Sequence, residues 1–224
     1  MPAVVICTTN SKCLPVLAAS ITFYLPDFWT VYLSGSDMVL PKHRTINLPN
    51  AATNFGDAYN AAVHEAMRSH DELIIANDDI VLTPYTWQTM AEDLQIIPEE
   101  GRGWVAARSD YARGMQNIRY RHEGDTDTIR HTSEGLIIET EIIAPIFAYI
   151  HKDAWVDFPP INWFSDDIQC LDMKAKNYIS RAFVHHVGSQ TCGQDFNQCR
   201  DDAYPWIVKN RPELAKRWFP QKIS

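Results

Sequence analysis

The alternation of apolar strand-like runs with helical repeats over the first hundred residues constrains the fold of this chain more than any other feature. Residues 3–8 form a β-branched run of the kind found in strands that are buried on both faces. Apolar residues then recur at helical spacing from Leu14 to Leu25. The same reasoning predicts further strands at 29–34, 44–48 and 73–76 and a helix at 56–68. This order predicts a parallel sheet with helices on both faces.

The rest of the chain shows weaker patterns. The pair Thr83-Pro84 predicts the start of a helix that runs to about Leu94, because threonine caps helices and proline favours their first position. Residues 108–134 are polar and lack periodicity, which is typical of a functional or mobile segment. The remaining predicted elements are strands at 104–107, 136–143, 146–151 and 178–186, a helix at 167–176 and two short helices between 201 and 219. No linker or internal repeat divides the sequence, and its 224 residues fit one domain.

The composition limits the classes of ligand that the chain can bind. Its formal net charge of -8, from 28 acidic and 20 basic residues, argues against nucleic acid as a partner, because nucleic-acid binding needs a basic face. The five cysteines are scattered and form no CxxC pair, so we expect reduced thiols rather than a zinc site. The longest apolar stretch, residues 142–150, is too short to span a bilayer, and the N-terminus lacks a signal-peptide pattern. We therefore expect a cytoplasmic protein.

Three polar residues, Asn77, Asp78 and Asp79, directly follow a predicted apolar strand. Ligands of open α/β sheets bind outside the carboxyl ends of the strands. Carboxylates at such a place supply part of the shell that Mg²⁺ or Mn²⁺ requires, while water and substrate phosphates fill the rest. A solvated turn with an aspartate as a helix cap is the alternative interpretation. The flanking sequence favours the metal site.

That flanking sequence resembles the core of the GT-A fold glycosyltransferases, in particular the inverting family of bacterial and phage enzymes that use nucleotide sugars. The residues that carry the resemblance are Asn54, Gly56, Ala58, Asn60 and the string from Asp71 to Pro84. The resemblance implies a single α/β domain over 1–224, with a Rossmann-like, mixed but mainly parallel sheet flanked by helices. It further implies a nucleotide-binding half at about 1–100, an acceptor-binding half at about 101–191 and a helical tail at 192–224.

In that family a DxD motif at the end of this strand holds the metal. Asn77 stands in place of the first aspartate, which puts chelation by two carboxylates in doubt. Asp79 keeps the position of the usual metal ligand, and Asp78 is implied to contact a ribose or sugar hydroxyl.

A histidine late in the chain is implied to complete the metal shell, because residues 184–191 resemble the family's His-x-Gly-Ser segment. His185 and His186 are neighbours on a predicted strand and face opposite sides, so only one of them can point into the site. His186 is preferred from its distance to Gly188, and a purely structural histidine is the alternative. A nitrogen ligand favours Mn²⁺ over Mg²⁺.

The resemblance places further residues at the nucleotide sugar. The turn after the first strand matches the part of the family's fold that holds the nucleobase, where the hydroxyls of Thr8 and Thr9 would pair with uracil. Asp37 loosely matches a second acidic contact, for which a plain turn is the alternative. Lys209 or Arg200 would neutralise the departing diphosphate. The implied donor contacts are Thr8, Thr9, Asn10, Asp37, Asn54, Asn60, Asn77, Asp78 and Lys209.

The pair Asp166-Asp167 resembles the family's acidic pair ahead of a helix, where one carboxylate is the general base. An inverting transfer needs one base to remove the proton of the acceptor hydroxyl. Asp167 is the preferred base and Asp166 its rival, while helix capping is the structural alternative. Trp163 is implied to stack on the acceptor, unless it belongs to the core. Arg113 lies in the polar stretch where acceptor loops are found in the family.

Together these patterns predict a metal-dependent hexosyltransferase that moves a sugar from a nucleotide-diphosphate donor, with UDP favoured, to an acceptor hydroxyl with inversion. A sugar nucleotidyltransferase is one alternative, but it needs a glycine-rich basic loop after the first strand, where residues 8–12 hold one lysine and no glycine. A noncatalytic carbohydrate-binding module is the other, and the asparagine at position 77 keeps it open.

Overall fold

The computed structural model describes residues 1–9, 12–120, 128–129, 135–188 and 196–220. The strands in this part of the chain are β1 (Ala3–Cys7), β2 (Thr30–Ser34), β3 (Arg44–Leu48), β4 (Glu72–Asn77), β5 (Ile80–Leu82), β6 (Arg102–Ser109), β7 (Arg119–Tyr120), β8 (Thr128–Ile129), β9 (Ile138–Thr140), β10 (Phe147–His151) and β11 (Lys176–His186). The α-helices are α1 (Leu14–Tyr24), α2 (Phe55–Met67), α3 (Thr86–Ile96), α4 (Ser165–Asp172), α5 (Phe196–Asn210) and α6 (Pro212–Trp218).

One mixed sheet contains strands from both halves of the chain, in the order β3-β2-β1-β4-β10-β6-β11-β5, with β9 paired to β11. The neighbours β1, β2, β3 and β4 are parallel, as are β6 and β11. β10 lies antiparallel between β4 and β6. The predicted mixed, mainly parallel sheet is therefore confirmed.

The sheet is buried on both faces, because successive side chains along its strands point alternately into two apolar clusters. On β1, Val4 and Ile6 face the cluster covered by α1 and α3, whereas Ala3 and Val5 face the cluster covered by α2. A third cluster joins α4 to the two tail helices through Ile168, Ile207 and Leu214. The short helix α4 is thus held by the tail as well as by the sheet.

The predicted start of α3 is wrong. The helix begins at Thr86 with Tyr85 as N-cap, and Thr83 is not its cap. Residues 80–82 form the unpredicted strand β5, which pairs antiparallel with β11. The Thr86 hydroxyl donates to the Phe183 carbonyl on β11 at 2.6 Å and accepts the Thr83 N–H at 2.8 Å, so these contacts hold the turn after β5 to β11 and the helix begins only after Tyr85.

Two further boundaries differ from the prediction, and in both cases the residues concerned are next to strand pairs formed by β11. The helix predicted at 167–176 is α4, which ends at Asp172, since Lys176 already pairs with Arg102 of β6. The strand predicted at 136–143 is reduced to β9, Ile138–Thr140. Of the aperiodic stretch 108–134, residues 121–127 and 130–134 lie outside the described residues.

Within the described residues, we find no helix whose length and apolar character would allow it to cross a membrane. The cysteines of the described part of the chain are free thiols, namely Cys7, Cys13, Cys170 and Cys199.

Candidate active site

Four strands that run in the same direction end at one edge of the sheet, and this edge collects polar side chains. The strands are β1, β4, β6 and β11. The residues at or directly after their carboxyl ends are Thr8, Asp78, Asp79, Asp110 and His186. Because these strands are parallel, side chains that are far apart in sequence come together there.

Asp79 and His186 form the centre of this edge. Asp79 Oδ1 lies 3.0 Å from His186 Nε2, and the exposed fractions of the two side chains are 7% and 11%. His186 Nδ1 lies 2.7 Å from the Tyr111 carbonyl oxygen, which can only accept, so Nδ1 carries a proton and donates it. Nε2 is therefore the ring nitrogen that faces Asp79 and is free to bind a proton or a cation.

The pKa of His186 reflects this pairing. Burial alone would lower the pKa of the ring, but the hydrogen bond and the negative charge of Asp79 outweigh it and raise the pKa above the ordinary value of 6.5. His185 instead points to Asp110, with Nδ1 at 3.0 Å from Asp110 Oδ2. The structure thus brings His186, and not His185, to Asp79.

Asp78 is the second buried carboxyl group at this edge, with an exposed fraction of 5%. Burial raises its pKa, the hydrogen bond with the Thr8 hydroxyl opposes that rise, and the charge of Asp79 adds to it. Among the described residues, Asp78 Oδ2 is buried without a hydrogen-bond partner. A buried carboxylate oxygen in this state is costly unless a ligand or cation satisfies it.

The described residues contain no cluster of three or more His, Cys, Asp or Glu side chains that could hold a metal ion by themselves. Asp79 and His186 offer one oxygen and one nitrogen, and Asp78, the preceding residue in the sequence, has a buried carboxylate oxygen without a hydrogen-bond partner. This set fits a divalent ion that takes its remaining ligands from substrate phosphates and water. A cavity of about 220 Å³ opens here, lined by Asp110, Tyr111, His185, His186 and Val187.

The predicted acidic pair lies in the first turn of α4 and is bound by Arg113. Its guanidinium donates from one nitrogen to Asp167 Oδ2 at 2.5 Å and from another to Asp166 Oδ2 at 2.7 Å. Asp167 is almost fully buried, with 5% of its side chain exposed, against 19% for Asp166. Burial and the charge of Asp166 raise the pKa of Asp167 to about 6, although Arg113 opposes the shift. A carboxyl with a raised pKa of this size is suited to act as a general base near neutral pH.

Two features that organise the site were not predicted from the sequence. One is Asp110, and the other is the ion pair that Arg113 forms with the acidic pair. Asp110 accepts the backbone N–H of His186 at 2.9 Å and pairs with the His185 ring. It directly follows β6, so the rule that selected Asp78 and Asp79 would have found it had the strand, predicted at 104–107, been extended to Ser109. No local pattern indicates that Arg113 reaches a carboxylate pair 53 residues later.

The asparagine-rich helix motif docks the loop that leads to the acidic pair. Asn54 is the N-cap of α2, and its side chain accepts the Asp57 N–H. A Cβ on Gly56 would come within 1.9 Å of the Pro159 carbonyl oxygen, so only glycine allows this approach. The Asn60 amide donates to the Phe158 carbonyl and accepts the Phe158 N–H, both at 2.9 Å. Its contact with a nucleotide stays a prediction.

The other predicted donor residues lie at or after the ends of strands β1, β2 and β4, except for one that lies outside the described residues. Thr9 and Asp37 are exposed after β1 and β2, and Asn77 is half-buried at the end of β4. Thr8 is buried, and its carbonyl accepts from Asn50 at 3.4 Å. Asn10 lies outside the described residues.

The predicted residues near the tail pack against it or face solvent. Trp163 is half-buried and belongs to the cluster around the tail helices, with its ring 6.3 Å from Phe164. Lys209 is exposed in the last turn of α5. Arg200 lies over the Phe219 ring at 5.3 Å. Their roles at acceptor or diphosphate stay predictions.

The sheet order, the helices on both faces and the polar edge at the end of β4 define the GT-A fold. Solved structures share it. S. aureus TarS 1–349, a glycosyltransferase of the GT-A fold, is 13% identical, with a TM-score of 0.57 over 98% of this chain and 75% of that one. The same protein in complex with UDP-GlcNAc gives 15% identity and a TM-score of 0.56 over 93% and 67% of the two chains. Against a longer TarS chain the identity is 18% and the TM-score 0.56, and this chain covers 40% of it.

At these low identities, the structural likeness shows a common fold and no more. A comparison with protein-family models finds no match for the sequence, and a comparison with curated proteins finds none either.

Proposed function

We propose that this protein is a glycosyltransferase that takes a sugar from a nucleotide-diphosphate donor, with UDP as the nucleotide. The observation that carries the proposal is the buried set at the end of β4, where Asp79 pairs with His186 at 3.0 Å and Asp78 keeps an unpaired oxygen. Such a set has the negative charge and the unsatisfied oxygen that could bind a divalent cation, and the cation could in turn bind a diphosphate. The likeness to TarS, solved in complex with UDP-GlcNAc and with UDP, supports the same class of donor.

Asp79 and His186 are the residues that would hold a divalent cation. When bound, the cation supplies positive charge that stabilises the departing diphosphate. The Tyr111 carbonyl fixes the ring of His186 so that Nε2 faces Asp79, which pre-orients both ligands. Thr8 follows β1 and Asp78 follows the neighbouring strand β4, and their side chains are hydrogen-bonded to each other; there they would contact the nucleoside.

Asp167 is the proposed general base, with Asp166 as its neighbour in the ion pair with Arg113. A carboxyl with a pKa of about 6 is ionised near neutral pH and is still basic enough to accept a proton from an attacking hydroxyl. A single base with no second nucleophile at the sugar carbon would give inversion of configuration. The acceptor is a hydroxyl compound that reaches the site from the side of Arg113, which is the most exposed member of the cluster.

The first test is calorimetric titration of UDP into the protein with Mn²⁺ and again with EDTA. We expect Mn²⁺-dependent binding in the wild type and its loss in Asp79→Ala. The matched control is Asp153→Ala, because Asp153 also pairs with a histidine, His151, but at the opposite edge of the sheet. UDP binding of wild-type strength by Asp79→Ala in EDTA would contradict the role of Asp79.

The second test separates donor binding from transfer. Release of UDP from a panel of UDP-sugars identifies the donor, with water as acceptor. We expect Asp167→Asn to bind UDP normally. We expect it to cleave the donor, measured as free UDP formed, at least about 100-fold more slowly than the wild type, the contribution typical of a general base. Equal turnover by the variant and the wild type would exclude Asp167 as the base.

A further inference from the structure

Four consecutive residues, Asp110 to Arg113, connect the donor side of the site to the acidic pair. At one end, Asp110 accepts the His186 N–H at 2.9 Å, and the Tyr111 carbonyl accepts from the His186 ring at 2.7 Å. At the other end, Arg113 binds both carboxylates of α4. We call residues 110–113 the strap. It spans the two groups of side chains that the proposed reaction requires.

The strap is also held between its ends. The Tyr111 N–H donates to the Ser109 hydroxyl at 3.0 Å. The Asn117 side chain donates to the Ala112 carbonyl at 2.9 Å. Gly188, just after β11, approaches the Tyr111 ring so closely that a Cβ would lie 2.1 Å from it. Each of the four residues therefore has a contact that holds it in place, which is the condition for one end of the strap to affect the other.

Arg113 is suited to set the geometry of the acidic pair. Two carboxylates one residue apart in the first turn of a helix repel each other, and the fork of a guanidinium can bind both at defined angles. The exposed fraction falls from 48% for Arg113 to 19% for Asp166 and 5% for Asp167. Arg113 thus covers the pair from the solvent side and fixes the orientation of the more deeply buried carboxylate.

We propose that Arg113 is a positioning residue for Asp167, and that the strap couples the orientation of the acidic pair to the state of His186. The inference rests on the proposed function, since it gives the two ends their roles as base and donor site. Binding at His186 then favours one arrangement of the pair. By linkage, the arrangement of the pair changes donor affinity by the same factor.

The experiment compares Arg113→Gln, Arg113→Lys and the wild type by amide hydrogen exchange and by calorimetry with UDP and Mn²⁺. The matched control is Arg211→Gln, because Arg211 also binds two carboxylates, one of them Asp172 at the other end of α4. In Arg113→Gln we expect the His186 N–H to exchange at least about fivefold faster and UDP to bind at least about fivefold more weakly, the lower bound of typical coupling. Arg211→Gln is expected to leave both quantities unchanged.

A pH profile of donor turnover adds a readout that a merely structural role would not move. Removing the Arg113 charge should shift the acid limb of the profile to higher pH by about 1 unit or more. Arg113→Lys keeps the charge but loses the fork, so we expect it to restore the acid limb and not the His186 exchange rate. Full restoration of the exchange rate by lysine would overturn the geometric coupling.

The outcomes separate this inference from the proposed function. Wild-type protein that binds no UDP refutes the proposed function, while the exchange rate at His186 still tests the strap. Unchanged exchange at His186 in folded Arg113→Gln refutes the strap, even if turnover falls. Should Arg113→Gln fail to fold, Arg113→Lys decides the question, since a single ammonium nitrogen lacks the planar fork by which two guanidinium nitrogens bind the two carboxylates.

Discussion

Replacing Asp167 by asparagine is expected to stabilise the folded chain above neutral pH, although it removes the proposed base. The Asp167 side chain is 5% exposed and shares Arg113 with Asp166. Its pKa is raised from 3.8 to about 6 because burial and the charge of Asp166 outweigh the attraction of Arg113. Ionised Asp167 is therefore a net cost to the folded state. Asparagine has the same shape, carries no charge and still accepts a hydrogen bond from Arg113.

The magnitude follows from linkage. A shift of about two pKa units at about 1.36 kcal/mol each sets an upper value of about 3 kcal/mol for the cost. Because the group is coupled to Asp166 and Arg113, we expect a gain of about 1–3 kcal/mol in the free energy of unfolding. The folded state binds the extra proton between pH 3.8 and about 6, so the wild type loses this stability as the pH rises through that window. The gain is full at pH 8 and absent below pH 3.8.

Urea denaturation at pH 8 and at the lowest pH where the protein stays folded measures the effect. The matched control is Asp172→Asn at the other end of α4, whose side chain is 36% exposed and pairs with Arg211. It should change stability by less than about 1 kcal/mol, without a gain at pH 8. If Asp167→Asn is less stable than the wild type at pH 8, the attraction of Arg113 dominates and our account of the pair is wrong.

Three other predictions test the packing and the chemistry of the site. Gly56→Ala should lower the free energy of unfolding by about 1–3 kcal/mol, because the new Cβ meets the Pro159 carbonyl; an unchanged urea midpoint would refute the close approach. Asn60→Ala should cost about 1–3 kcal/mol by leaving the buried polar groups of Phe158 unpaired, measured in the same way. Donor turnover in the wild type should fall about tenfold per pH unit below about 6, as Asp167 takes up a proton, and a flat profile from pH 5 to 8 would argue against this base.

Much of the fold was predictable because its signals are local. The β-branched run of β1 and the helical spacing of α1 are properties of a few neighbouring residues, and the structure confirms both elements. The Asn54 cap of α2 is likewise a local hydrogen bond. Asp78 and Asp79 were selected by one general rule, that ligands bind at the carboxyl ends of strands. Where a local signal competed with tertiary contacts, as at Thr83 and Pro84, the prediction failed.

The sequence by itself determined most of the strands and helices, and the positions of the polar residues that end β1 and β4. Only the tertiary structure decided which side chains meet. Inserting β10 antiparallel between β4 and β6 fixes the position of β11, so that His186 and not His185 faces Asp79. The same arrangement brings Arg113 to Asp166 and Asp167. These contacts join residues more than 50 positions apart, and their partners follow from the strand order and the packing of α4, which no local pattern encodes.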